Sequence, residues 1–111
     1  MKKFMALFMA DQAAIEQMMK APPEEMKSVM AEWMAWYKAN EKALADLGAP
    51  LGKTKRLDGK GLTDSKNGIT GYSVVEGESF ESAAKLFKDH PHLKMPGCAI
   101  DFLEIMPVPA M

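Results

Sequence analysis

His90 and His92, separated by Pro91 in "KDHPHLKMPGCAIDFLEI", are the two imidazoles of the chain, and Asp101 and Glu104 follow them in an apolar run. Imidazole and carboxylate are the usual parts of proton transfer near neutral pH, so His92 and Asp101 form the candidate catalytic pair. Asp101 interrupts "CAI" and "FL". A carboxylate set among core residues must find a partner or shift its pKa, and pairing with a lysine or tyrosine is the purely structural alternative. Glu104 has the opposite strand parity and is expected in solvent. His90 is expected at a helix C-terminus, where its imidazole caps the negative end of the dipole, with a ligand contact as the functional alternative. The His-Pro-His sequence lacks a third ligand at a fixed spacing, so no metal site is expected, and no resident cofactor either. Cys98 lies in a strand and reads as a small buried apolar residue. Trp33, Tyr37 and Asn40 on a long helix and Tyr72 on a strand could wall and orient a small organic molecule, with core packing as the plainer role of the aromatics.

The elements that must position these groups are legible from spacing. Lys3–Met9 is apolar, carries two phenylalanines and reads as a buried strand. Its basic start and short apolar run resemble a signal peptide only weakly, since Asp11 interrupts the run. Asp11 suits the N-cap of a short helix that "PP" at 22–23 ends. A second helix is expected from about Glu24 to Leu47, with Met26, Met30, Trp33, Tyr37, Leu44 and Leu47 on one face and Gly48 stopping it. Leu51–Leu57 reads as a strand near a sheet edge, and "DGKG" and "NG" as turns. Ile69–Glu76 is a clear strand. Ser79 caps a helix carrying Phe80, Ala83, Ala84 and Phe87 that ends by Pro91. Cys98–Met106 is the last strand, closed by "PVP" at 107–109.

This order is a βαβ unit written twice, the split arrangement of a ferredoxin-like α+β fold: a four-stranded antiparallel sheet with helices on one face. With 111 residues the chain reads as one domain, 1–111. The first and last strands are apolar on both parities, and the helices cover one face. The economical cover for the other is a second copy, so a homodimer through the sheet faces is expected. Taking the first and last strands as the inner pair, Asp101 is expected to be at least partly buried. The net charge of −1 calls for neither nucleic acid nor an anionic membrane surface. One cysteine fits a reducing, cytoplasmic setting, and no apolar run is long enough to span a bilayer.

"GYSVVEGESFESAAKLFKDHPHL" followed by "GCAIDFLEIMPV" resembles the YCII-related, DGPF-like proteins, and "LGAPLGKTKRLDGKGLTD" is similar to that family's second strand and turn. The resemblance implies a dimeric α+β barrel. The DGPF tetrapeptide is replaced by "DGKG" at 58–61, and no histidine precedes residue 90, so the family's His–Asp chemistry does not carry over residue by residue. Three functions follow in order: a dimer that binds a small organic molecule between helices and sheet; a cofactor-independent enzyme (monooxygenase, isomerase or lyase) using an acid–base pair; and a non-catalytic interaction module.

Overall fold

The structure, a computed structural model, describes residues 1–108; Pro109 of the "PVP" closure lies outside them. Strand β1 (Lys2–Ala10) leads through α1 (Gln12–Lys20) and α2 (Pro23–Asn40) to β2 (Leu44–Pro50). Strands β3 (Thr54–Asp58) and β4 (Gly61–Ser65) come next, then β5 (Ile69–Gly77), α3 (Phe80–Leu86) and β6 (Cys98–Glu104). The main sheet is antiparallel in the order β2-β5-β1-β6, and β3 pairs with β4 alone as a separate hairpin. This is the ferredoxin-like α+β arrangement expected from the sequence. The inner pair, however, is β1 and β5, and β6 is an edge strand.

The caps follow their chemistry. The Asp11 carboxylate accepts from the Ala14 amide at 2.8 Å and starts α1. Ser79 and Ser82 form a reciprocal capping box at the start of α3. Pro23 opens α2 with Glu24 and Glu25 in its first turn, where the helix dipole favours carboxylates. That helix ends at Asn40, short of Leu47, and a single 3₁₀ turn (Glu41–Ala43) hands the chain to β2. The second strand of the sheet is therefore Leu44–Pro50, and not the 51–57 segment expected from the sequence. Gly48 serves this strand and does not stop a helix. Its φ is +79°, and a Cβ there would lie 1.6 Å from the Tyr72 carbonyl oxygen, so β2 passes β5 at a distance that only glycine allows.

The core lies between the sheet and the helices. Phe4, Ala6 and Phe8 of β1 and Val75 of β5 meet Trp36 of α2 and Ala83 and Phe87 at α3. Trp36 is the one buried residue of α2. The helix is seated on the sheet through its C-terminal half, while Met26 and Met30, expected on the core-facing stripe, remain about half exposed at 47 % and 52 %. That lift opens the space described next.

Candidate functional site

A cleft of about 630 Å³ opens between the N-terminal half of α2, α1 and the helix-covered face of the sheet. Methionines 18, 26, 30, 34 and 95 line it together with Phe8 and Trp33. Unbranched, polarizable side chains of this kind adapt to a guest and fix little of its shape. The polar side chains of the lining are few: Gln17, Glu25, Tyr37, Thr70 and Lys94, with His92 set in the wall at 1 % exposure.

A β-bulge places two of these groups. Along β1 and β5, Phe8 pairs with Gly71 but Met9 pairs with Ile69, so Thr70 is the extra residue. Its hydroxyl donates to the Phe8 carbonyl at 2.9 Å. The Met9 carbonyl at the same irregularity receives the His92 ring, with Nε2 at 2.8 Å. A carbonyl only accepts, so Nε2 carries the proton, and in the neutral ring Nδ1 is the basic nitrogen. Burial lowers the His92 pKa first, and backbone hydrogen bonds to Met9 and Ala99 partly offset this. His92 is neutral at pH 7.

Tyr37 stands on the opposite wall. Its hydroxyl is 3.4 Å from Ser73 Oγ, and Ser73 itself donates to the Leu47 carbonyl at 2.7 Å. With the serine proton committed, the tyrosine is the donor of that pair and keeps acceptor capacity. Ser73 was missed in the sequence reading. The available signal was parity: it is the polar residue on the inward register of β5, between Gly71 and Val75, and all three are buried.

His90 has a different position from the one expected. It does not cap α3; it is fully buried and is the N-cap of a 3₁₀ turn over Pro91–Lys94. Its Nδ1 accepts from the His92 amide at 3.0 Å, which puts the proton on Nε2. That N–H finds no oxygen or nitrogen partner. It sits in a cage of rings, with Trp33 perpendicular at 4.4 Å and Trp36 at 4.5 Å between centroids. Donation to a π face is the remaining outlet for the N–H. Burial, then the neighbouring His92, push the His90 pKa down to about 4. His90 thus lies behind the cleft wall, outside ligand reach, and anchors the backbone that carries His92.

Of the remaining sequence candidates, Trp33, Tyr37 and His92 come together in the cleft. Asn40 does not, because its side-chain amide donates to the Trp36 carbonyl at 2.9 Å at the end of its own helix. Asp101 and Tyr72 lie on the other face of the sheet, both opposite Leu7 in register. Asp101 is exposed, because an edge strand and an uncovered face leave it in solvent. The expected pairing of Asp101 with His92 in one pocket is therefore not formed. Glu104, expected in solvent, is half-buried and pairs with Lys2 at 3.6 Å. Cys98 is half-buried rather than buried, and burial and the Asp11 carboxylate raise its thiol pKa, which leaves it protonated and a poor nucleophile. Among the described residues no group of three His, Cys, Asp or Glu side chains is arranged to hold a metal ion.

No known family profile matches the chain, and no curated protein matches it. Among solved structures it is similar to 5-chloro-2-hydroxyhydroquinone dehydrochlorinase from Burkholderia phenoliruptrix AC1100, in complex with 2,5-dihydroxybenzoquinone. The identity is 14 %, the TM-score 0.52, and the alignment covers 89 % of this chain and 90 % of that one. The likeness shows the fold alone, an α+β chain with a four-stranded antiparallel sheet and helices. Among the described residues no helix is long and apolar enough to cross a membrane.

Proposed function

We propose that this chain binds a small, flat, largely apolar organic molecule carrying hydroxyl or carbonyl groups, in the cleft between α2 and the sheet. The observation that carries this reading is the cleft itself. It has the volume of an ordinary small-molecule site, a soft apolar lining, and polar groups confined to a few fixed points. Trp33 supplies an aromatic wall. Tyr37 and Thr70 offer acceptor oxygens, and His92 offers one imidazole nitrogen whose partner nitrogen is held by Met9. Membership of the YCII-related family, and pairing of two copies through their open sheet faces, belong to the same proposal. The fold and the apolar residues left on the uncovered face support both.

A titration tests the binding. Hydroquinone, catechol and 2,5-dihydroxybenzoquinone are added to ¹⁵N-labelled protein, the last because the structural neighbour was solved with it. The expected shifts centre on the Trp33 indole, Thr70 and the 3₁₀ turn holding His92. Met30→Trp, at a half-exposed lining position, is expected to fill the cleft and abolish the shifts while the chain stays folded. Absence of shifts at millimolar probe, or shifts centred on Leu7 and Leu103, refutes the reading.

Catalysis without a cofactor, as a monooxygenase, isomerase or lyase, is the second reading. The observation favouring it is a neutral imidazole in the wall of an apolar cleft, with Nε2 fixed on the Met9 carbonyl, a suitable acceptor for the proton of a phenol or an activated C–H. Any such activity is expected to fall at least about a hundredfold in His92→Gln. Asp101→Asn is expected to leave it unchanged.

A further inference from the structure

Among the described residues, the β3–β4 hairpin is the one pair of strands that leaves the body of the fold. It pairs only with itself, Thr54 with Ser65 through Asp58 with Gly61, and makes no substantial contact with any other element. The Cα radius of gyration, 15.6 Å, records the protrusion; a compact chain of this length has about 13 Å. An isolated two-stranded hairpin is marginal in water and is ordinarily stabilised by packing on something else.

Its two faces differ. On one, Lys55 and Asp64 form an ion pair at 2.6 Å, and Leu57 lies directly opposite Leu62. These leucines are 77 % and 63 % exposed, so the chain itself gives them no cover. The other face carries Arg56, Thr63 and their polar neighbours. Between residues 51 and 67 there are five cationic side chains (Lys53, Lys55, Arg56, Lys60, Lys66) against two carboxylates, Asp58 and Asp64.

The uncovered sheet face has the complementary character. Met5, Leu7 and Leu103 make it apolar; Asp101 adds negative charge on the same register, while Glu76 there stands opposite Lys3 across the β1–β5 pair. No lysine or arginine of the chain forms an ion pair with either carboxylate among the described residues. The arm leaves the sheet between β2 and β5, and β5 contributes Tyr72 and Val74 to that face.

We propose that the β3–β4 hairpin is a dimer arm: it lies against a second copy of this chain, with Leu57 and Leu62 on the partner's apolar surface and the lysines that flank its strands, Lys53, Lys60 and Lys66, toward Asp101 of the partner subunit. The assignment rests on the sheet-face pairing proposed above. It adds that the interface extends beyond the sheets and that an otherwise marginal hairpin is stabilised in the pair.

Sedimentation and hydrogen exchange test it together. The full chain is expected to sediment as a dimer at micromolar concentration. Leu57→Ser with Leu62→Ser is expected to raise the dimer dissociation constant tenfold or more without changing the far-ultraviolet circular dichroism, since neither side chain is buried in its own chain. Arm amides at 55–57 and 62–64 are expected to exchange slowly in the dimer and rapidly once dilution has dissociated it. A dimer whose arm exchanges as fast as in the dissociated chain, with the serine variant associating as tightly as the parent, overturns the arm and leaves the sheet pairing standing. A parent chain that is monomeric at micromolar concentration overturns both. Ligand shifts in the cleft are read separately and depend on neither.

Discussion

The two faces of the sheet are written in the same strands and have opposite fates. On β1, Phe4, Ala6 and Phe8 are buried beneath the helices, whereas Met5, Leu7 and Met9 on the other parity are only half covered. On β6 the contrast continues, with Phe102 packed against Phe87 and Leu103 48 % exposed. Apolar character is nearly equal on the two sides, so hydrophobicity does not decide which becomes the core. The decision comes from the crossovers, which place every helix on one face. The covered face acquires the cleft, and the open face is left for the pairing proposed above.

The largest test of this contrast is truncation at adjacent residues. Phe8→Ala removes a ring packed against Trp33, Phe87, His90 and His92, and about 3–5 kcal/mol of stability is expected to be lost. Leu7→Ala, one residue away on the open face, is expected to cost about 1 kcal/mol in the dissociated chain. Its cost is expected to rise with protein concentration as pairing covers that face. Urea melts at two concentrations separate the cases, and equal, concentration-independent losses for both variants would erase the distinction between the faces.

Acid acts on the covered face next. The folded pKa of His90 is pushed down to about 4, whereas an unfolded histidine titrates near 6.5. Between those values the unfolded chain takes up a proton that the folded chain refuses. Stability is thus full above about pH 6.5 and falls as the pH drops toward 4, on the order of 1 kcal/mol per pH unit. His92, also lowered by burial, adds in the same direction. Urea midpoints at pH 7, 5.5 and 4.5 are expected to decline, with a shallower decline in His90→Gln. Identical pH dependence of parent and variant would show that His90 is not the buried neutral group described.

A smaller effect is expected at the edge of the covered layer. Ser79→Ala removes the acceptor of the Ser82 amide at 3.2 Å and half of the α3 capping box. About 1 kcal/mol is the usual consequence, visible as a lower melting temperature with the cleft intact. The smallest effect belongs to the open face: Asp101→Asn is expected to change the stability of the dissociated chain by less than about 0.5 kcal/mol. A loss of several kcal/mol in dilute solution would place Asp101 in the core after all.

The sequence made some of these features plain and hid others. Asp11 and Ser79 were readable as caps because capping depends on local hydrogen bonding. The strands read at Ile69–Glu76 and Cys98–Met106 stood out by composition and lie within a residue or two of the observed ones, and Trp33, Tyr37 and His92 were among the site candidates. Residues 40–51 misled because Leu44 and Leu47 continue a helical spacing, while the pairing of Leu44 with Val75 and of Ala49 with Tyr72 makes that stretch a strand. His90 misled for a related reason. Proximity to a helix end suggested capping, and nothing local announces that Trp33 and Trp36, more than fifty residues earlier, close over it.

By itself the sequence determined an α+β chain with ferredoxin-like order, a helix-covered sheet with a second apolar face, and a short set of polar residues able to do chemistry. These rest on periodicity, capping and turn propensity, which act over a few residues. Tertiary structure decided which polar residues meet. It set β1 and β5 at the centre, sent Asp101 and Tyr72 to the face opposite His92, buried His90 among indoles, and bulged Thr70 toward the cleft. The physical reason is that strand order, register and the lift of a helix from a sheet depend on contacts between distant segments, and a one-residue change of register moves a side chain from one face to the other.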